Sequence, residues 1–385
     1  MRLIFPVLSL AVAISTIGVD LAKPSPASPV CLNGLCRFDQ LYAGMDAAGP
    51  DLNNLGELLN EDPSNPSAWC SYAELLWKRG NREGARFAFS RAVSLGPGMS
   101  PVLMRAANFE FSQGDEAEAL ALSKRILHQT GAFDEVLFSY FQRSPAGVPK
   151  VLAAGLPADL RAAKAWLAWV GQNGTDQDIA DTWGWIKAQP VHDESLAVES
   201  VRLLWDRKAF ELAQAVWADW VGPAGDYLKS DRLFNRRFQN PPQASPFDWK
   251  LETIPSVEVL RQDGVEMRFL GQENVRFSHI HQFATVSPGR YRFAAEIETH
   301  GLSSDQRPYF HVFDVEPQRK LDAQTKAVPA DSGRSWITLD FEVPPHTRAI
   351  EVEFERRAST GEEKVGAENK ISGTLHVYQV SLTRQ

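Results

Sequence analysis

The chain has 385 residues and a net charge of −8, with 44% hydrophobic and 23% charged residues. That length holds two domains with separate cores, and the composition is that of a globular protein rather than a disordered one. An acidic chain with no Lys/Arg block lacks the basic patch that neutralises phosphates, which excludes nucleic acid as a partner.

Met1-Arg2 leads into an unbroken apolar run from Leu3 to Val19, which resembles the charged and apolar regions of a secretory signal. Ser25-Pro26-Ala27 offers small residues for cleavage, so 1–27 reads as a signal peptide. If it is not cut, the run is just long enough to serve as a membrane anchor. Both alternatives put the body outside the cytoplasm: in the periplasm, anchored at the inner membrane facing the periplasm, or secreted. The Ser28-Pro29-Val30 sequence ahead of Cys31 lacks the small-residue box of a lipid-modified N-terminus. Residues 28–50 are rich in Pro, Ser, Gly and Ala and read as a linker. Cys31 and Cys36 either pair in an oxidising compartment or remain two thiols. Cys70 falls inside a helical pattern as a structural thiol. The three cysteines show no Cys/His spacing of a zinc site, so neither a metal nor a cofactor is expected.

From Leu52 to Asn60 a leucine-rich helix precedes Pro63, and two helical hairpins follow at 66–97 and 100–129. In the first, Trp69, Tyr72, Ala73 and Leu76 recur at helical spacing, Gly80-Asn81 breaks the pattern, and Ala85, Phe89 and Ala92 stripe a second helix. Gly80 recurs as Gly114, Ala85 as Ala119 and Pro63 as Pro97, at one constant offset. This period resembles the tetratricopeptide repeat, matched at Trp69, Ala73, Gly80, Ala85, Phe89, Ala92 and Pro97. The resemblance implies a protein-binding scaffold with partner contacts on the inner side of each first helix: Glu74, Trp77 and Lys78, then Asn108, Phe111 and Ser112. Plain inter-repeat packing is the alternative for Trp77 and Phe111. Helical patterning continues, with drifted consensus, through 133–143, 158–171, 177–188, 194–205 and 208–221. The tryptophans there (Trp166, Trp169, Trp183, Trp185, Trp205, Trp217 and Trp220) read as core rather than as a stacking platform. The TPR-like domain is bounded at 51–224.

Near Gly222 the period changes to two. Nine candidate strands follow, at 247–254, 257–261, 265–270, 275–286, 290–299, 308–315, 336–343, 349–356 and 375–382, several separated by Gly or Pro turns. The fold class is therefore α then β: an N-terminal TPR-like helical solenoid followed by a jelly-roll β-sandwich at 228–385. Leu233-Phe234-Asn235-x-x-Phe238, Ser245-Pro246-Phe247-Asp248-Trp249, Gln282-x-x-x-Val286-x-Pro288-Gly289-x-Tyr291-x-Phe293 and the final run 371–382 resemble carbohydrate-binding-module-like (galactose-binding-like) sandwiches. Where that family carries acidic residues in its last strand, this chain has Tyr378-Gln379, which puts their role in doubt here. The combination is similar to exported bacterial proteins of exopolysaccharide and envelope assembly, an analogy that fold alone does not turn into function.

For a glycan, aromatics on the open side are the candidates: Trp336, Tyr309 and Trp249 would stack on sugar rings, with His281, His311 or Arg276 hydrogen-bonding. Trp336 opens a strand whose other face carries Ile337, Leu339, Phe341 and Val343, so alternation turns its indole outward. For Trp249 the core is the favoured place. His279-x-His281 shares a strand face and His311 on a later strand could join them, but too few ligands converge for a metal, so His279 and His281 read as surface or sheet-edge histidines. Asp340, Glu342, Glu351, Glu353 and Glu355 alternate as the solvated outer face of a sheet. Without a nucleophile elbow, phosphate loop or Rossmann fingerprint, an enzyme is not expected. The expectation is a non-enzymatic exported scaffold, its repeats on a protein and its sandwich on a polysaccharide, with the membrane met only through an uncleaved N-terminal segment. The alternatives are a structural or protein-docking sandwich without a sugar site, and an envelope glycoside hydrolase using the acidic strands.

Overall fold

The computed structural model describes residues 51–190, 193–317, 320–360 and 369–385. The apolar N-terminal run, the linker, Cys31 and Cys36 lie outside them. Among the described residues there are eleven α-helices, one 3-10 helix and ten strands. No helix among them is long and apolar enough to cross a membrane. The chain divides into two compact units, parting between Phe109 and Glu110.

The first unit holds α1 (Leu52–Glu61), α2 (Pro66–Lys78), α3 (Arg82–Leu95) and most of α4 (Ser100–Gln113). Leu55, Leu58, Leu59 and Ala68 form one buried cluster, against which Trp69, Tyr72 and Leu75 pack. The α2–α3 hairpin closes on small residues, Ala73, Ala85, Ala88 and Ala92, all at 0% exposure, which lets the two backbones approach. Gly80 and Gly114 take φ of +81° and +77° at the hairpin turns, a conformation that suits glycine.

The second unit continues with α5 (Glu116–Gln129), α6 (Asp134–Arg143), α7 (Val148–Gly155), α8 (Leu160–Asn173), α9 (Asp176–Ile186), α10 (Glu194–Asp206) and α11 (Phe210–Trp220). The repeat persists beyond its consensus: first helices begin at Pro66, Ser100 and Asp134, and again at Leu160 and Glu194, with the same offset between successive starts inside each group. Only the 134-to-160 hairpin is shortened, and its second helix, α7, is absent from the sequence-based expectation. Side-chain caps fix the starts of six helices, with Asn65, Asn81, Asp115, Asp159, Thr175 and Asp193 each accepting a first-turn N–H. Of the tryptophans, Trp166, Trp183, Trp185 and Trp217 are core, as expected.

After the 3-10 helix (Gly222–Lys229) come ten strands: β1 (Lys250–Leu251), β2 (Val257–Arg261), β3 (Val265–Leu270), β4 (Phe277–Thr285), β5 (Gly289–His300), β6 (Tyr309–Asp314), β7 (Asp322–Gln324), β8 (Ser332–Val343), β9 (Ala349–Arg356) and β10 (Ser372–Arg384). They form two five-stranded antiparallel sheets in the orders β1-β4-β9-β6-β7 and β2-β3-β10-β5-β8, a jelly-roll sandwich. The core between the sheets is aromatic and β-branched, with Tyr291, Phe293, Phe310, Val352 and Phe354 at its centre. The entry motif acts as a clasp. Phe234 donates its N–H to Gln282 Oε1 (3.0 Å) and accepts from Gln282 Nε2 (3.2 Å), with Gln282 fully buried. Asp231 Oδ1 accepts the N–H groups of Leu233 and Leu382, fastening the entry to the last strand.

Contacts cross the change of period near Gly222. Trp205 packs its ring edge-on against Phe247 (5.5 Å between centroids) and Trp217 against Phe234 (5.3 Å). Thr285 donates to the Gln214 side chain, and Arg348 lies 5.1 Å over the Phe210 ring.

Candidate functional site

Strand alternation turns Ile280, Ala284, Ile350, Val352, Phe354, Phe310 and Val312 into the core and their neighbours outward. On the outer face of the β1-β4-β9-β6-β7 sheet, register then lines up side chains from distant segments. One row runs Lys250, His281, Glu353, His311, Gln324 across all five strands. The next runs Phe283, Glu351, Phe313, Asp322. A third pairs Glu355 with Tyr309.

This face is only partly solvated. Glu355, His311 and Tyr309 are buried, while Glu351, Glu353 and His281 are half-buried. Burial, then the flanking Glu351 and Glu355 carboxylates, push the Glu353 carboxyl up to about 7. Burial, then Lys250, hold His281 below the usual imidazole range. His311 is clamped, with Nε2 2.6 Å from Asp322 Oδ1 and Nδ1 3.1 Å from Glu355 Oε2. Arg357 Nε reaches the other Glu355 oxygen at 3.1 Å. One donor atom each from His311, Glu353 and Glu355 lies within 4.8 Å of the others.

Two clefts open onto the rows and share Phe283. One, of about 530 Å³, is walled by Gln243, Asp248, Trp249, Lys250, Glu252 and His281. The other, of about 450 Å³, is walled by Trp205, Phe210, Phe313, Asp314, Glu316 and Glu351. Hydroxyl-rich ligands fit such mixed walls: carboxylates and imidazoles accept and donate, and ring faces cover C–H surfaces.

The structure brings together three of the residues singled out in the sequence, Tyr309, His311 and His281. Trp336 is 54% exposed as alternation requires, but it stands on β8, the edge strand of the opposite sheet. It faces Glu296 across the strands, on a surface laced by Arg334–Glu296 and Arg292–Asp340 pairs. Trp249 is 3% exposed and packs on Phe238 in the core, so its ring is no open platform. Tyr309 is 8% exposed and cannot offer its face to a sugar. Arg276 is exposed in the segment ahead of β4. His281 corrects the expectation of a surface or sheet-edge histidine, because β4 is an inner strand and the ring is half-buried; His311, on the inner strand β6, is buried. Glu351, Glu353 and Glu355 correct the expectation of a solvated acidic face, since β9 is the central strand of its sheet; Asp340 and Glu342 are exposed as expected. The convergence of His311, Glu353 and Glu355 likewise departs from the expected absence of metal ligands. Acids on a strand flanked by aromatic strands were the available signal, but sequence alone does not say which strand is central. Where the resemblance led to an expectation of acids, Tyr378 bonds Glu298 and stacks on His376 at 4.1 Å, and Gln379 bonds Glu296.

In the repeats, Glu74 is ion-paired to Arg105 at 2.6 Å, and Trp77 packs edge-on against Phe109 at 5.5 Å. Lys78 is exposed, and the half-buried Asn108 has a buried Oδ1 with no hydrogen-bond partner among the described residues. In the second unit Phe111 packs on Tyr140 at 4.8 Å, and Ser112 is exposed. Trp77 and Phe111 are thus half-buried packing residues.

No family model matches the chain, and no curated protein matches it. Solved structures do. A CBM4 domain is 14% identical with a TM-score of 0.28, covering 40% of this chain and 99% of its own. The enzymatically active domain of bacteriophage CBA120 tailspike protein 4 is 12% identical with a TM-score of 0.28, covering 40% of this chain but 21% of its own. YrrB, described as a TPR protein with an unusual peptide-binding site, is 13% identical with a TM-score of 0.23, covering 43% of this chain and 89% of its own. These are likenesses of fold.

Proposed function

We propose that the chain is a non-enzymatic exported scaffold, with a protein partner on its helical repeats and a glycan on the outer face of the β1-β4-β9-β6-β7 sheet. One observation carries the glycan assignment: a band of polar side chains, Lys250, His281, Glu353, His311 and Gln324, crosses the sheet with exposed ends at Lys250 and Gln324, and its Lys250 and His281 wall one of two clefts that share Phe283. The protein-binding assignment rests on the repeated hairpins, with Glu74, Lys78 and Asn108 on first helices of the first unit, and Ser112 of the second, as contact residues. Export rests on the Leu3–Val19 run, and exopolysaccharide or envelope assembly is the setting that this pairing of modules fits.

The test is retention of the full chain on a glycan array and on polysaccharide affinity gels. His281→Ala and Gln324→Ala should each weaken retention about tenfold, the loss of one or two good hydrogen bonds. Trp336→Ala should leave it unchanged. Loss confined to Trp336→Ala would move the site to the opposite sheet, and no retention by any glycan would leave a structural or protein-docking sandwich. Turnover of a bound glycan that Glu353→Gln removes would make the chain a hydrolase.

A further inference from the structure

We infer that His311, Glu353 and Glu355 form a binding site for a divalent transition ion of the zinc class. Both ring nitrogens of His311 face a carboxylate. Nε2 lies 2.6 Å from Asp322 Oδ1, so that nitrogen carries the proton and donates it. In the neutral ring Nδ1 then presents its lone pair toward Glu355 Oε2, 3.1 Å away: an acceptor facing an acceptor. A cation between them resolves the conflict. Two ligands about 2.0–2.2 Å from one ion stand about 3.0–3.5 Å apart at octahedral to tetrahedral angles, which is the separation found. The competing resolution, an imidazolium donating to both carboxylates, would leave no lone pair for a metal.

The ligands are also held from behind. Asp322 grips the far nitrogen of His311, the outer carboxylate that fixes the tautomer of a ligating imidazole. Arg357 grips Glu355 Oε1, leaving Oε2 turned to the ring. The His311 and Glu355 side chains are 6% and 7% exposed, so their polar atoms are shielded from bulk water. Beside them Tyr309 is more than nine-tenths buried, its hydroxyl enclosed next to the Glu355 carboxylate.

One imidazole and two carboxylates suit zinc better than calcium or magnesium, which take all-oxygen shells. Three protein ligands leave a coordination position for water or for a hydroxyl of a bound molecule. The site requires no sugar, and its test uses none, so it stands or falls apart from the glycan assignment.

The experiment titrates Zn²⁺ calorimetrically into the full chain stripped with chelator. One-to-one binding and a saturable rise in Tm are expected, with neither from Ca²⁺ or Mg²⁺ at equal concentration. His311→Gln should abolish the tight step. Asp322→Asn, at a carboxylate that is 61% exposed, should weaken it about 10–100-fold while leaving the metal-free Tm unchanged. If His311→Gln does not fold, Asp322→Asn and Glu353→Gln decide, read by Zn²⁺ affinity and by the visible bands of bound Co²⁺. Wild type without one-to-one binding, tight binding of Ca²⁺ in place of Zn²⁺, or affinity undiminished in the folded variants would each overturn the site.

Discussion

The indole of Trp205 lies 4.9 Å, centroid to centroid, from the ring of Phe283. Trp205 ends a repeat helix and Phe283 sits on the outer face of a sandwich strand, so one aromatic contact joins the last hairpin to the face that carries the candidate site. Trp205 also packs on Phe210 at 4.8 Å, so its removal loosens both sides. Trp205→Ala should cost about 2–3 kcal/mol, below the range for a fully buried tryptophan because the indole is half-buried. Urea denaturation measures this. The sandwich alone, residues 228–385, should also melt below its transition in the full chain. Equal melting temperatures would mean that the two parts fold independently.

Lys208 occupies the place in its hairpin turn that Gly80 and Gly114 hold in theirs, with φ of +61°. A side chain there is strained. Lys208→Gly should stabilise the protein by about 0.5–1 kcal/mol, the strain relieved less the added freedom of the unfolded chain. Gly80→Lys should destabilise by a similar amount. Thermal melts that reverse these signs would refute the equivalence.

Arg356 is fully buried at the end of β9, and no carboxylate is among its hydrogen-bond partners in the described residues. Its guanidinium instead gathers Val275 O, Asn274 Oδ1, Ser304 Oγ and Asn369 O, tying three loops as a bound cation would. Arg356→Met should cost about 3–5 kcal/mol, since one buried and several partly buried acceptors lose their donor together. Arg356→Lys should recover little, because a single ammonium cannot reproduce the planar fork. Full recovery by lysine would show that charge alone matters there.

Cys70 is a free, fully buried thiol, which burial pushes up to about 11. A thiol with a raised folded value binds its proton more tightly in the native state, so its contribution to stability is present below about 9 and lost as pH rises through about 11. At neutral pH it stays a thiol, and Ellman's reagent should label it only after unfolding. Rapid native labelling of a variant lacking Cys31 and Cys36 would contradict this burial.

Trp336 is half in water on an edge strand whose inward side is packed by Ile337, Leu339 and Phe341. Trp336→Ala should therefore cost under about 1 kcal/mol of stability, far less than a buried indole. A large drop in Tm would show that the indole is covered in solution.

Local sequence determined the elements. The constant repeat offset, the Asn and Asp caps and the strand alternation are each written into a short stretch of chain, so the helix beginning at Glu194 and the strands at 257–261, 265–270 and 349–356 were legible with their boundaries. Helix α7 escaped because its hairpin is shortened and its eight residues begin Val148-Pro149. The site was not legible in the same way. Alternation says that Tyr309 and Trp336 both point away from the core, but it does not say onto which sheet, or under what cover. His281, Glu353 and His311 meet because β9 runs between β4 and β6, an order fixed by long-range strand pairing. Glu353 and Glu342 read alike as polar positions on alternating strands. What separates them is the company that the sheet brings: acids and imidazoles in a half-buried row for Glu353, and water for Glu342.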